Sequence, residues 1–104
     1  GGGAWSLKIE GGGGGGHLPV PLDGLLLGRE DADGVVGMGG ARVSGRHATA
    51  EPCAWGVLLT DVGSRWGTTC AEVPWGRAPL LLRAGDSAEL GGQVVVTALE
   101  GGTP

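Results

Sequence analysis

Apolar and polar residues alternate over short stretches of this chain, and each stretch ends at glycine or proline. In AWSLKIE (4–10), Trp5, Leu7 and Ile9 alternate with Ser6, Lys8 and Glu10, which predicts a half-buried strand. The glycine run at 11–16 has no side chains to pack and predicts a flexible loop or hairpin insertion. HLPVPL (17–22) holds two prolines, which confine it to an edge strand. GLLLGRE (24–30) reads as a short buried strand running into a loop, and Val35 and Val36 mark a brief strand before a Gly-rich loop. HATAE (47–51) and WGVLLTDV (55–62) give two more strands, the second turning Val57 and Leu59 inward. GSRWGTTC (63–70) is a turn entering a strand. Residues 78–100 read strand, turn, strand, tight Gly-Gly turn, strand. No segment has helix grammar, and no heptads or repeats occur. About ten or eleven short strands with frequent turn signals predict an all-β, antiparallel β-sandwich. The whole of 1–104 reads as a single domain with its core over about 4–100.

Composition sharpens this picture. Twenty-five glycines and six prolines in 104 residues would suit a low-complexity chain, yet many glycines stand singly between Val- and Leu-rich runs, where turns need them. The net charge of −4 argues against direct nucleic-acid binding. Lys8 is the only lysine, and of the six arginines Arg29, Arg42, Arg46 and Arg65 lie in or beside Gly-rich loops. Arginine suits forked recognition of oxyanions. Cys53 and Cys70 are too few for a disulfide framework and lack metal-ligand spacing, so each reads as a small buried residue. No metal or cofactor is expected. No stretch approaches the ~20 apolar residues of a membrane span and no signal peptide is visible, which predicts a soluble intracellular module that makes no use of a membrane.

ARVSGRHATAE (41–51) places Ser44 three residues before His47, the types of a nucleophile and its base. The context is wrong for that chemistry. Ser44 lies outside a G-x-S-x-G elbow, and no helix follows it. GVVGMGGAR likewise fails as a dinucleotide fingerprint, because the next element is a strand. No enzyme is expected.

What remains is an ordered series of loop residues: Gly28-Arg29, Ser44-x-x-His47, Gly63-Ser64-Arg65-Trp66-Gly67-Thr68 and Gly85-Asp86. In this order and spacing, over 24 to about 99, the sequence resembles the forkhead-associated (FHA) family of β-sandwiches that recognise phosphothreonine in partner proteins. The resemblance implies that Arg29 binds the phosphate and that Ser44 donates its hydroxyl or N–H to a phosphate oxygen. It also implies that Gly45 and Arg46, next along the chain, are phosphopeptide-binding residues. It implies a structural His47, with Gly28, Gly67 and Thr68 shaping the pocket. The family has an Asn before Gly-Thr that bonds the peptide backbone; this chain has Arg65-Trp66 there. That pair, with the Trp5-Ser6-Leu7 strand, resembles the nibrin subfamily, in which Arg65 would add a second positive contact and Trp66 would wall the groove. The subfamily resemblance implies phosphorylated DNA-damage adaptors as partners, a nuclear setting, and BRCT repeats in the same longer chain.

Plainer readings stand beside these. Arg29 is also a candidate for a solvated arginine neutralising Glu30 and Asp31, and Arg42 and Arg46 for solvated surface cations. Trp66 is also a candidate for a packed aromatic, as Trp5, Trp55 and Trp75 are expected to be. An FHA-like scaffold with a degenerate pocket, assembling partners without phosphate, is the alternative function.

Overall fold

The computed structural model describes residues 4–70 and 79–101. The described residues form ten strands in two five-stranded sheets packed face to face. One sheet runs β2-β1-β10-β9-β7, from β1 (Trp5–Gly11), β2 (Gly14–Val20), β10 (Val94–Glu100), β9 (Ser87–Leu90) and β7 (Thr68–Thr69). The other runs β4-β3-β5-β6-β8, from β4 (Val36–Gly37), β3 (Leu25–Gly28), β5 (Ala48–Cys53), β6 (Gly56–Asp61) and β8 (Leu80–Leu82). The expected all-β sandwich is therefore observed. Its pairing is antiparallel except at β3 and β4, which run parallel through Leu27–Val36 and Gly28–Gly37.

Alternation explains the core. Trp5, Leu7 and Ile9 of β1 and Val94, Val96 and Ala98 of β10 face inward, opposite Leu27, Ala48, Ala50, Val57, Leu59 and Leu82 of the second sheet. Each fully buried Val or Leu contributes roughly 1.5–3 kcal/mol relative to exposure. Ser6 departs from the expected pattern: it is buried although it lies between inward-facing neighbours.

Of the flexible loop and the hairpin insertion that the glycine run predicts, the hairpin is what forms: β1 and β2 pair with Gly11 opposite Gly14, Glu10 opposite Gly15 and Ile9 opposite Gly16. Gly12 and Gly13 form the two-residue turn at φ 64° and 88°. Both central positions are left-handed, the geometry that matches strand twist and that glycine adopts without strain. β2 is a sheet edge, as its prolines predict. Hydrogen-bonded pairing of Gly11 with Gly14 alternates down the ladder, so the nitrogen of Pro19, opposite Ser6, faces the open edge where no donor is required.

Two tryptophans test the packing expectation. Trp5 is 5% exposed and belongs to the core, but Trp55 is 69% exposed at the tip of the β5–β6 hairpin. It sits in the two-residue turn between Cys53 and Gly56, outside the paired residues of the hairpin. Trp75 lies outside the described residues. Cys53 and Cys70 are free thiols, half-buried rather than fully buried.

Candidate functional site

Three loops meet at one end of the sandwich: β3–β4, β4–β5 and β6–β7. Their junction begins at Gly28, the last residue of β3. A Cβ there would lie 2.0 Å from the carbonyl oxygen of Gly45 and 2.7 Å from Cγ1 of Val35, so only glycine lets the first two loops touch. The next residue, Arg29, donates its main-chain N–H to the Ser44 carbonyl (3.0 Å) and accepts from Gly39 N–H (2.9 Å). The backbones of Arg29 and Ser44 are thus joined directly, and the Arg29 side chain is exposed.

Ser44 also reaches the third loop. Its half-buried Oγ accepts the main-chain N–H of Arg65 at 3.0 Å. A hydroxyl has one proton and two lone pairs, so Ser44 keeps its proton to give to another acceptor.

His47 sits fully buried beneath this junction. Its Nδ1 accepts the Ser44 N–H at 3.0 Å. Its Nε2 therefore carries the proton and donates to the Gly67 carbonyl at 2.9 Å. Both ring nitrogens are committed to backbone, which leaves none to act as a base toward Ser44 Oγ. The imidazole is a strut between the second and third loops.

The third loop is built on Asp61. Its position continues the inward phase of Val57 and Leu59, placing a carboxylate beneath the apex, 7% exposed. Oδ1 accepts the N–H groups of Gly63 and Ser64, each at 2.8 Å. Oδ2 accepts the hydroxyls of Ser64 and of Thr68, the latter at 2.9 Å. Ser64 Oγ in turn accepts Gly67 N–H at 3.0 Å. Burial alone would push the Asp61 carboxyl upward, but the Ser64 hydroxyl, the Ser64 and Gly63 amides and the Thr68 hydroxyl outweigh it and hold the group below its usual range.

Above this frame lie the cations. Arg29, Arg42, Arg46 and Arg65 are all exposed, and among the described residues none of them forms an ion pair. The neighbouring acid Asp31 is turned back, its Oδ1 accepting Gly37 N–H at 2.8 Å. Trp66, 52% exposed, contacts two guanidinium groups, with Arg42 at 4.9 Å and Arg65 at 5.9 Å from its ring centroid. Each such contact contributes about 0.5–1 kcal/mol at an exposed site. Exposed donors on a rigid sandwich end suit an oxyanion ligand.

No protein-family model and no curated protein sequence matches the chain. Solved structures do. The FHA domain of a Chlamydia trachomatis protein is similar at a TM-score of 0.77 and 18% identity, covering 92% of this chain and 96% of that one. A domain solved in work on phosphothreonine-dependent FHA interactions is 25% identical at a TM-score of 0.72, covering 92% and 95%. The FhaA FHA domain, complexed with the intracellular domain of a second protein, is 25% identical at a TM-score of 0.67, covering 90% and 98%. The chain has the FHA fold.

Against the FHA sandwich, the residues singled out from sequence fall in one region. Gly28, Arg29, Ser44, Gly45, Arg46, His47, Arg65, Trp66, Gly67 and Thr68 all belong to the three apical loops or the strand ends that carry them. Gly85-Asp86 lies at the opposite end, where Asp86 Oδ2 accepts Arg83 N–H at 3.0 Å and closes a turn. Two residues escaped the sequence reading. Asp61 carried a usable signal, a carboxylate in the core phase of a strand with a serine three residues on. Arg42, read as a surface cation, gave no signal, because only tertiary structure brings it over Trp66.

Proposed function

We propose that this chain is a non-catalytic module that binds phosphothreonine-containing segments of a partner protein. The observation that carries the reading is the double attachment of Ser44, whose carbonyl takes Arg29 N–H and whose hydroxyl takes Arg65 N–H, both at 3.0 Å. It brings the backbones of two residues with exposed guanidinium side chains, Arg29 and Arg65, to one point at Ser44, whose hydroxyl keeps a proton to donate. A phosphothreonine brings about −1.5 to −2 charge and three acceptor oxygens to such a point. The similarity to FHA domains solved for phosphothreonine-dependent interactions and with a bound partner domain supports the same use.

The Trp5-Ser6-Leu7 strand and the Ser64-Arg65-Trp66-Gly67-Thr68 turn resemble the nibrin subfamily. On that resemblance we place the partner among phosphorylated adaptors of DNA double-strand-break repair, the setting in the nucleus, and BRCT repeats in the same longer chain. A second reading, phosphate-independent assembly on an FHA-like scaffold, is favoured by the exposure of Trp66 and Trp55.

One titration series separates the two. Phosphothreonine, phosphoserine and unmodified forms of one peptide are titrated into wild type and Arg29→Ala. The phosphopeptide-binding reading expects a micromolar Kd, about −8 kcal/mol, for the phosphothreonine form with wild type only. Equal binding of the phosphorylated and plain forms would favour the scaffold.

A further inference from the structure

One sheet edge is open along its length. Among the described residues the outer strands β4, β7 and β8 are two or three residues long, whereas β2 runs for seven. With Gly11 and Gly14 bonded across the hairpin, the main-chain groups of Gly15, His17 and Pro19 face away from β1, and all three residues are exposed. Natural edges of this length are blocked by charged side chains or bulges, or are covered. GGGHLPV carries no Lys, Arg, Asp or Glu, and its register with β1 runs without a bulge. Only Pro19 withholds a donor.

Beside this edge the core is incomplete. Gly16, Leu18 and Val20 take the inward face, opposite Ile9, Leu7 and Trp5. Gly16 has no side chain to cover Ile9, and a Cβ there would meet nothing within 4 Å. A pocket of about 230 Å³ results, walled by Ile9, Leu18, Val36 and Met38. Gly15 and His17 also line it, so it opens onto the edge that they present.

The strand that closes both openings has the sequence of β2 itself. Its first half is Gly14-Gly15-Gly16 and its second is Leu18-Pro19-Val20, with His17 between them. Antiparallel pairing of two copies over the full strand sets His17 against its own equivalent on a twofold axis. Each bulky residue then faces a glycine of the other copy: Leu18 meets Gly16, Pro19 meets Gly15 and Val20 meets Gly14. Gly16 and Leu18 form a non-hydrogen-bonded pair, whose Cα atoms approach to about 4.5 Å. The half-buried Leu18 therefore seats its free flank in the space that Gly16 leaves over Ile9 of the other copy. The two His17 residues exchange both main-chain bonds, and each Gly15 N–H reaches a Pro19 carbonyl. The missing Pro19 donor leaves only the Gly15 carbonyl to water. Glycines inside a strand mark a place where another backbone comes close.

We propose that this chain forms a twofold dimer through β2–β2 pairing, the glycine half of each strand receiving the bulky half of the other. The dimer goes beyond the phosphopeptide reading and does not depend on it. Because the pairing is antiparallel, the two apices point to opposite ends. Seven residues span roughly 24 Å of edge. A contact one strand wide falls below the ~1,200 Å² of a stable complex, so the dimer is reversible, with a Kd on the order of 100 µM.

Sedimentation equilibrium over about 5–500 µM reads the association, with every variant first shown to be folded by its thermal melt. Wild type moves from monomer toward dimer across that range. His17 is exposed and its N–H faces the edge, so His17→Lys and His17→Pro leave the ladder of the monomer intact. The first sets like charges opposite each other and the second removes the axial bonds. Each raises the Kd about fivefold or more. In a Cys53→Ser, Cys70→Ser background, His17→Cys gives a covalent dimer under mild oxidation, because residues paired on the axis lie within disulfide reach. Lys8→Cys, on the same face but one strand further in, does not. A dimer that both His17 variants leave unchanged, or that Lys8→Cys traps as readily as His17→Cys, overturns the β2 pairing. A wild type that stays monomeric throughout overturns the dimer and leaves the edge to a strand of a different protein.

Discussion

His47 joins Ser44 to Gly67, which lies twenty residues beyond the histidine: its Nε2 donates to the Gly67 carbonyl at 2.9 Å while its Nδ1 takes the Ser44 N–H at 3.0 Å. The ring is fully buried, so its removal takes the acceptor from the Ser44 N–H, while the Gly67 carbonyl keeps the Gly91 N–H at 2.9 Å. His47→Ala leaves a cavity together with an unsatisfied backbone N–H, and a loss of about 2–4 kcal/mol is expected. Chemical denaturation measures it. A variant as stable as wild type would show that the strut does not hold the apex.

Asp61, whose Oδ2 lies 3.9 Å from His47 Nε2, makes a second frame for the third loop. Asp61→Asn replaces one carboxylate oxygen with a donor that faces the hydroxyls of Ser64 and Thr68. Bonds to a charged group contribute roughly 1.5–3 kcal/mol each, so a Tm lower by on the order of 10 °C is expected. The pH sign follows from the depressed folded-state value. Unfolded Asp takes up its proton near about 3.9 and folded Asp61 below that, so its stabilisation is complete above this value. It is lost as pH falls through the folded value. Thermal melts between neutral pH and about pH 3 should therefore show less acid sensitivity in Asp61→Asn than in wild type.

Gly28 and Gly45 make a paired test of close approach. A Cβ on Gly28 meets the Gly45 carbonyl at 2.0 Å, whereas a Cβ on Gly45 meets nothing within 4 Å. Gly28→Ala must part the β3 end from the β4–β5 loop, at a cost of about 2 kcal/mol or more. Gly45→Ala is expected within about 0.5 kcal/mol of wild type. Urea melts of the two variants check the contrast, and similar values for both would place the loop contact elsewhere.

Legibility from sequence followed side-chain chemistry. β1 announced itself through Trp5, Leu7 and Ile9, and the β2 edge through its prolines, because burial and the missing proline donor leave marks in composition. The β1–β2 hairpin was legible only as one of two alternatives, since a run of glycines has no hydrophobic phase to fix a register against Ile9 and Glu10. The two-residue β4 is too short to carry a pattern that announces its direction, and its parallel pairing with β3 was unforeseen. At the site, Gly28-Arg29 and Ser44-x-x-His47 were visible as local motifs. The stack of Arg42 on Trp66 joins residues from two loops, and no local pattern encodes it.

The last prediction uses the Asp61 frame as an internal control. Between pH 7.5 and 5 a phosphothreonine passes through its second ionisation, near about 6, and falls from close to −2 toward −1 charge. Asp61 stays ionised over that interval, because its hydrogen bonds hold it below the usual carboxylate range. Acid loss of its frame therefore lies below the interval, and the third loop keeps its shape while the ligand loses charge. A peptide gripped through Arg29 and the Ser44 hydroxyl should bind several-fold more weakly at pH 5 than at pH 7.5. Circular dichroism at both values should show the same fold. Added salt should weaken binding as well, since the arginines are exposed and screened. Isothermal titration across the range checks this. An affinity constant from pH 7.5 to 5 would mean that the phosphate dianion is not what the apex holds.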